Sequence, residues 1–159
     1  MLVLALCASL VCVFAACGKT VGDSGTVSVV VKSPVTNKTT EYVVDLSDLN
    51  GQEGLMTVLK YLKDKKGLTY EETSGDYGAY LTKVADIGSK TEGNKSYYVM
   101  LMTNVKADYK DAETADAIQE PVTYKDITLH YSMEGSSSMH ISDGAVIYIC
   151  QGIYEYSAQ

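Results

Sequence analysis

Only one stretch of this chain, Asp48 to Gly67, has the spacing of a long amphipathic helix, and that limits the fold more than any other feature. Leu55, Val58, Leu59 and Leu62 fall at i, i+3, i+4 and i+7 and form one apolar stripe, with Lys60, Lys63, Asp64 and Lys66 facing away. Gly67 ends the helix, as glycine usually does past a helix C-terminus, and Lys63, Lys65 and Lys66 complement the negative end of its dipole. Gly51 and Gly54 place the regular start near Leu55, with Asn50 or Thr57 as candidate caps. Everything else reads as strand or loop. A lone helix must bury its stripe on a sheet, which the remaining segments have to build.

Those segments read as follows. Thr26 to Lys32 alternates, with Val27, Val29 and Val31 on one face. Turn chemistry at Ser33-Pro34 and Thr36-Asn37-Lys38 returns the chain through Thr40 to Val44, a hairpin leading into the helix. After Gly67, Gly75 and Gly78 bracket a turn and Ala79 to Val84 makes a strand. Ser96 to Thr103 is the most hydrophobic strand outside the N-terminal segment and is expected at the centre, buried on both faces. Ala107 to Glu120 is acidic and alanine-rich, a short helix or excursion expected to be a solvated connection closed by Pro121. Ile127 to Met133 alternates, and Asp143-Gly144 turns into the last long strand, Ala145 to Cys150. Periodicity alone gives α+β, one helix on a sheet. The order hairpin, helix, then three or four strands is that of the ubiquitin-like β-grasp, a mixed sheet packed on one main helix.

Four elements carry a resemblance: VDLSDLNGQEGLMTVLKYL, YGAYLTKV, SYYVMLMTN and MHISDGAVIYI. They resemble a domain family of unknown function in bacterial exported proteins that is grouped with the C-terminal domain of transcobalamin. The matching features are the helix start Leu55 to Leu59, the Gly-Tyr element at Tyr77-Gly78 and Tyr80, the aromatic strand ending in Asn104, and the Asp-Gly turn opening the final strand. Two positions depart from the pattern: the aromatic pair is Tyr97-Tyr98, with no tryptophan in the chain, and Ala145 follows Asp-Gly where an acidic residue is often repeated. The resemblance implies a β-grasp domain over 26–159 with a binding role, as in transcobalamin, where the similar domain closes over cobalamin.

Residues 1–16 are nearly all apolar and uncharged and end in small residues, which reads as a secretory segment too short to span a bilayer. Phe14-Ala15-Ala16-Cys17 resembles the lipobox of bacterial lipoproteins, in which the cysteine is lipidated and becomes the mature N-terminus. Phe14 stands where leucine is commonest, and no Lys or Arg precedes the apolar run, so part of the n-region is expected upstream. The alternative is an ordinary signal peptide with Cys17 a bystander. On the lipoprotein reading, residues 17–25 are a polar tether and the domain sits at the outer face of the bacterial cytoplasmic membrane, held by lipid on Cys17. The net charge is −7 and every cation is lysine, which argues against nucleic acid and anionic headgroups as partners.

Chemistry read from the residues is sparse. There is no phosphate loop, no zinc spacing and no Gly-x-Ser-x-Gly elbow, so no enzyme, metal or cofactor is expected. Cys150 lies in an apolar run and reads as a buried small hydrophobe. His130 and His140 read as surface or rim histidines, and Glu71-Glu72 and Asp108/Asp111 as solvated acidic faces. Tyrosine stands out instead: thirteen, against one phenylalanine that lies in the N-terminal segment. Tyr presents a large ring and a polar tip, the combination favoured at binding surfaces. Tyr77, Tyr80, Tyr97 and Tyr98 are expected together, because the Gly-Tyr element and the Tyr-Tyr strand follow one another, and with Asn104 they are the candidate ligand-binding residues. Two functions follow: a ligand-binding module for a corrinoid or other ring compound handed to a transporter, or a surface adhesion module for protein or glycan. A concave pocket beside the tyrosines favours the first, and a flat aromatic face or open edge strand the second.

Overall fold

The structure is a computed structural model that describes residues 19–75 and 78–156. Cys17, the apolar segment 1–16 and Tyr77 lie outside the described residues. The chain opens with a hairpin, β1 (Thr26–Lys32) and β2 (Thr39–Asp45), followed by a 3-10 turn and helix α1 (Gly54–Lys66). A second hairpin, β3 (Tyr70–Gly75) and β4 (Gly78–Val84), carries the short β5 (Ile87–Gly88) on its edge. Then come β6 (Lys90–Glu92), β7 (Lys95–Thr103), the short helices α2 (Lys106–Tyr109) and α3 (Ala112–Ile118), β8 (Val122–Tyr124), β9 (Ile127–Tyr131) and the long β10 (Ala145–Glu155). No helix among the described residues is long and apolar enough to cross a membrane.

The main sheet has the order β2-β1-β10-β7-β9-β8, with β6 paired to β7. β1 runs parallel to β10, Val27 opposite Ala145 through Val31 opposite Ile149, while β2, β7 and β9 pair antiparallel to their neighbours. This is the β-grasp: a mixed sheet wrapped on α1. The helix buries Leu55, Val58, Leu59 and Leu62 against Val27, Val29, Val31, Ile147 and Ile149. On the opposite face, Val30, Met100, Met102, Leu129, Val146 and Tyr148 form a second core. The central strands therefore need apolar side chains at successive positions, and β7 is buried on both faces as its composition predicts.

The helix begins later than Asp48. Neither candidate holds the cap position: Glu53 is the N-cap and makes no side-chain cap bond, while Thr57, inside the helix, accepts the Glu53 N–H with its hydroxyl at 3.0 Å. Gly54 holds φ at 48°, and a Cβ there would meet the Met139 carbonyl at 2.6 Å, so only glycine fits where the helix start abuts the loop before β10. Gly67 caps the C-terminus at φ 71°, its N–H reaching Leu62 and Lys63 carbonyls.

One strand is added and one expectation is corrected. β3 is a strand although its sequence, YEETSG, has no apolar alternation; it is an exposed edge, exposed at each residue after Tyr70. Residues 107–120 are not a solvated connection: α2 and α3 pack beside β7 and β9, and Asp108 is fully buried.

Candidate functional site

One edge of β7 pairs along its length with β10, from Lys95 opposite Glu155 to Thr103 opposite Ile147. Its other edge pairs with β6 over Lys95–Tyr97 and with β9 at Met102 and Thr103. Between those two partners no strand among the described residues covers it. The gap is the floor of a cleft of about 230 Å3, with β4 on one side and the loop 132–136 on the other. Leu81, Val99 and Leu101 form its apolar floor, Tyr80 and Tyr131 stand at the rim, and Glu134 supplies a carboxylate.

Short-range bonds fix both walls. The Ser132 N–H donates to the Leu101 carbonyl at 2.9 Å, continuing the β9 direction past Tyr131. The Ser136 hydroxyl donates to the Ala79 carbonyl at 2.7 Å, and the Ala79 N–H donates to Ser137 Oγ at 3.2 Å, tying β4 to the loop. A longer lever comes from α2. The Asp108 carbonyl accepts the Met133 N–H at 2.9 Å, while its carboxylate accepts the His140 N–H at 3.0 and 3.1 Å and lies 2.7 Å from His140 Nδ1. Asp108 thus clamps both ends of the segment that walls the cleft. Burial pushes its carboxyl above the ordinary range, against the pull of the His140 hydrogen bonds. His130 is held likewise, Nδ1 2.7 Å from an Asp116 oxygen and its ring 4.4 Å from that of Tyr109. Asp111 caps α3 through the Thr114 N–H at 2.7 Å, which lowers its carboxyl. The reading of Asp108 as a solvated acid is therefore overturned. His140 remains at the rim, whereas the His130 side chain is only 14% exposed.

The expected tyrosine group is divided. Tyr80, 55% exposed, stands at the cleft. Tyr98 lies on the opposite face of β7 from Val99, its ring resting on Gly152, where a Cβ would come within 2.3 Å. It is near enough to Tyr131 and Tyr80 that they add to burial in raising its phenol, and burial also raises that of Tyr131. Both phenols are thus neutral donors at physiological pH. Tyr97 points the other way, as period-two alternation requires. Its ring lies 4.8 Å from the Lys90 ammonium in a separate cavity of about 430 Å3 shared with Val35 and Gln151. Asn104 stands apart from all of them: Oδ1 accepts the Val146 N–H at 2.8 Å and Nδ2 donates to the Gly144 carbonyl at 3.0 Å, fixing the turn into β10. Sequence reasoning missed Tyr131, Glu134 and Ser136; the signal available was Tyr131 ending an alternating strand before the turn-rich EGSSS.

A larger groove of about 680 Å3 runs between α1 and the β3–β4 hairpin, but Lys60, Lys63, Asp64 and Glu72 line much of it, and among the described residues Tyr70 is its one tyrosine. Cys150 is buried, and burial pushes its thiol up to about 11, so it is no nucleophile at neutral pH. Among the described residues no three His, Cys, Asp or Glu side chains gather as a metal set.

No family model and no curated protein sequence matches the chain. Among solved structures, haptocorrin in complex with Cbi is similar over 84% of this chain, with a TM-score of 0.51 and 16% identity. The chain spans 25% of the length of haptocorrin. A protein of Ruminococcus gnavus ATCC 29149 described as a candidate metal-binding protein, solved at 1.30 Å, aligns with 84% of this chain and 99% of its own, with a TM-score of 0.44 and 12% identity. The haptocorrin likeness is one of fold, a distant transcobalamin-like form of the β-grasp.

Proposed function

We propose that this chain is a non-enzymatic ligand-binding module for a flat ring compound, in the first instance a corrinoid. It is exported, held at the outer face of a bacterial cytoplasmic membrane by lipid on Cys17, and hands its ligand to a transporter. The observation that carries the binding reading is the cleft at the uncovered β7 edge with Tyr80 and Tyr131 at its rim. Rings at a rim present flat apolar area at low entropic cost, and their hydroxyls orient a polar ligand. The choice of a corrinoid rests on the shared fold with haptocorrin, described in complex with Cbi. The export and anchoring rest on residues 1–17.

Size refines the mode of binding. A drug-sized ligand pocket holds roughly 300–1,000 Å3, and this cleft holds about 230 Å3. It can take the edge or a substituent of a macrocycle and cannot enclose one. The remainder of a large ligand lies over the tyrosine rim, open to a second body, which suits a module that passes its ligand on.

Equilibrium dialysis of dicyanocobinamide against the domain, with Tyr80→Ala and Tyr131→Ala, tests this. Each variant should weaken binding by about 2- to 12-fold, the range for an aromatic contact of about 0.5–1.5 kcal/mol. Absence of binding, or variants that bind as the wild type does, overturns it. A second reading, a surface interaction module, is favoured by the exposed Ile153, Tyr154 and Tyr156 at the end of β10, where the two tyrosine rings meet edge to face at 4.9 Å.

A further inference from the structure

We propose that the uncovered edge of β7 recognises a primary carboxamide on the ligand through the main-chain N–H and C=O of Val99. The proposal rests on the binding reading of the cleft and deepens it. Side chains of the rim set where a ring lies. The main chain of the floor sets which polar group the ring must carry.

The direction of the main-chain groups follows from two hydrogen bonds. The Leu101 carbonyl accepts the Ser132 N–H, so it points across the edge on which β9 lies, and Thr103 pairs with His130 on that same edge. In an extended strand, alternate residues turn both their N–H and C=O to the same side. Val99 therefore presents an N–H and a C=O to this edge, and Leu101 presents its N–H beside its already bonded carbonyl. Val99 lies at the floor of the cleft and is only 8% exposed, so these groups have little access to bulk water. Main-chain groups so placed favour a partner strongly.

The partner cannot be a long strand. The β6 pairing stops at Tyr97 and the Ser132 bond is made at Leu101, so the uncovered stretch is three residues, Tyr98 to Met100, or about 14 Å between the flanking positions at 3.4 Å per residue. It is closed at one end by β6 and at the other by the loop leaving β9. What fits is one planar group that gives a donor and an acceptor side by side. A primary carboxamide does so in one plane: its carbonyl accepts the Val99 N–H and its amide N–H donates to the Val99 carbonyl. A carboxylate has acceptors only and leaves the Val99 carbonyl unmet. An ammonium has donors only and leaves the Val99 N–H unmet.

A ligand series on the unaltered domain tests this without any substitution. Benzamide, N,N-dimethylbenzamide and benzoate share one ring and differ only in the polar group; each is titrated into the 15N-labelled domain and followed by amide chemical shifts. Benzamide is expected to bind about five- to tenfold more tightly than either comparison, the worth of one hydrogen bond of about 1 kcal/mol, with its largest shifts at the Val99 and Leu101 amides. Equal affinities for all three, with shifts around the cleft, would overturn edge recognition and leave the cleft reading standing. If benzamide, dicyanocobinamide and both comparison compounds leave the cleft amides unmoved, both proposals fall.

Discussion

Replacing Asp108 should loosen the cleft wall from a distance, and the structure gives the size of the effect. The carboxylate is fully buried and takes three contacts from His140, two from its main-chain N–H and one from Nδ1. Asp108→Ala removes all of them. Breaking a buried, hydrogen-bonded charge pair costs about 3–5 kcal/mol when the remaining partner is stranded. The His140 side chain is 44% exposed, however, and water can serve its ring. The stranded donor is then the His140 N–H, worth about 1–3 kcal/mol. With the lost packing, Asp108→Ala should cost about 3 kcal/mol. Asp108→Asn keeps an acceptor for that N–H and avoids burying a charge, so it should cost about 1 kcal/mol. Urea denaturation followed by far-UV circular dichroism measures both. An Ala variant within about 0.5 kcal/mol of wild type would refute the clamp, that being the range of an ordinary surface substitution. So would an Asn variant as damaging as Ala.

The same pair carries a pH dependence. Burial and the neighbouring Glu134 raise the folded Asp108 carboxyl above its ordinary value of 3.8, while His140 opposes the shift. The folded state then takes up the proton first as pH falls. The contribution of Asp108 to stability is fullest below 3.8 and is lost as pH rises through the raised value. The stability gap between wild type and Asp108→Asn should therefore narrow from acid to neutral pH.

Leu59 is fully buried at the helix–sheet contact, so Leu59→Ala should cost about 2–5 kcal/mol in the same denaturation assay. Lys65→Ala should stay within about 0.5 kcal/mol; it is a cleaner control than Lys63, whose ammonium lies 5.4 Å from the Tyr70 ring. With its thiol pushed up to about 11, Cys150 should resist iodoacetamide at pH 8 in the folded domain and react readily in urea; fast labelling of the folded protein would contradict its burial. If Cys17 carries lipid, the N-terminal peptide of the membrane fraction should gain diacylglyceryl mass, and Cys17→Ser should remain unprocessed; a soluble product cut elsewhere would sink the anchor.

The frame of the fold was legible because its elements bury whole stripes. Leu55, Val58, Leu59 and Leu62 repeat at helical spacing, β1 alternates, and β7 is apolar at successive positions because both its faces are covered. β3 was illegible for the converse reason: an exposed edge strand has no apolar face to show. The opposition of Tyr97 and Tyr98 followed from period two alone, but not which of them faces which core; that depends on the register of β7 against β10, where Tyr98 opposes Gly152. The cleft was harder still. It exists because β6 and β9 each stop short on one edge of β7, and a gap between partners leaves no mark in the sequence of the strand that carries it. Asp108 looked like one acid among many in an acidic segment. Its partner, His140, is 32 residues away, and no local spacing signals such a pair.

The claim that the cleft at the β7 edge is where a ring ligand binds is tested most directly by mapping dicyanocobinamide onto the 15N-labelled domain. The perturbed amides should cluster at 79–81, 99–101 and 131–136, with the Tyr97 and Lys90 amides and those of the outer face of α1 unmoved. Perturbation centred on Tyr97 and Lys90, or on the groove beside Lys60 and Glu72, or at no contiguous patch, would contradict it.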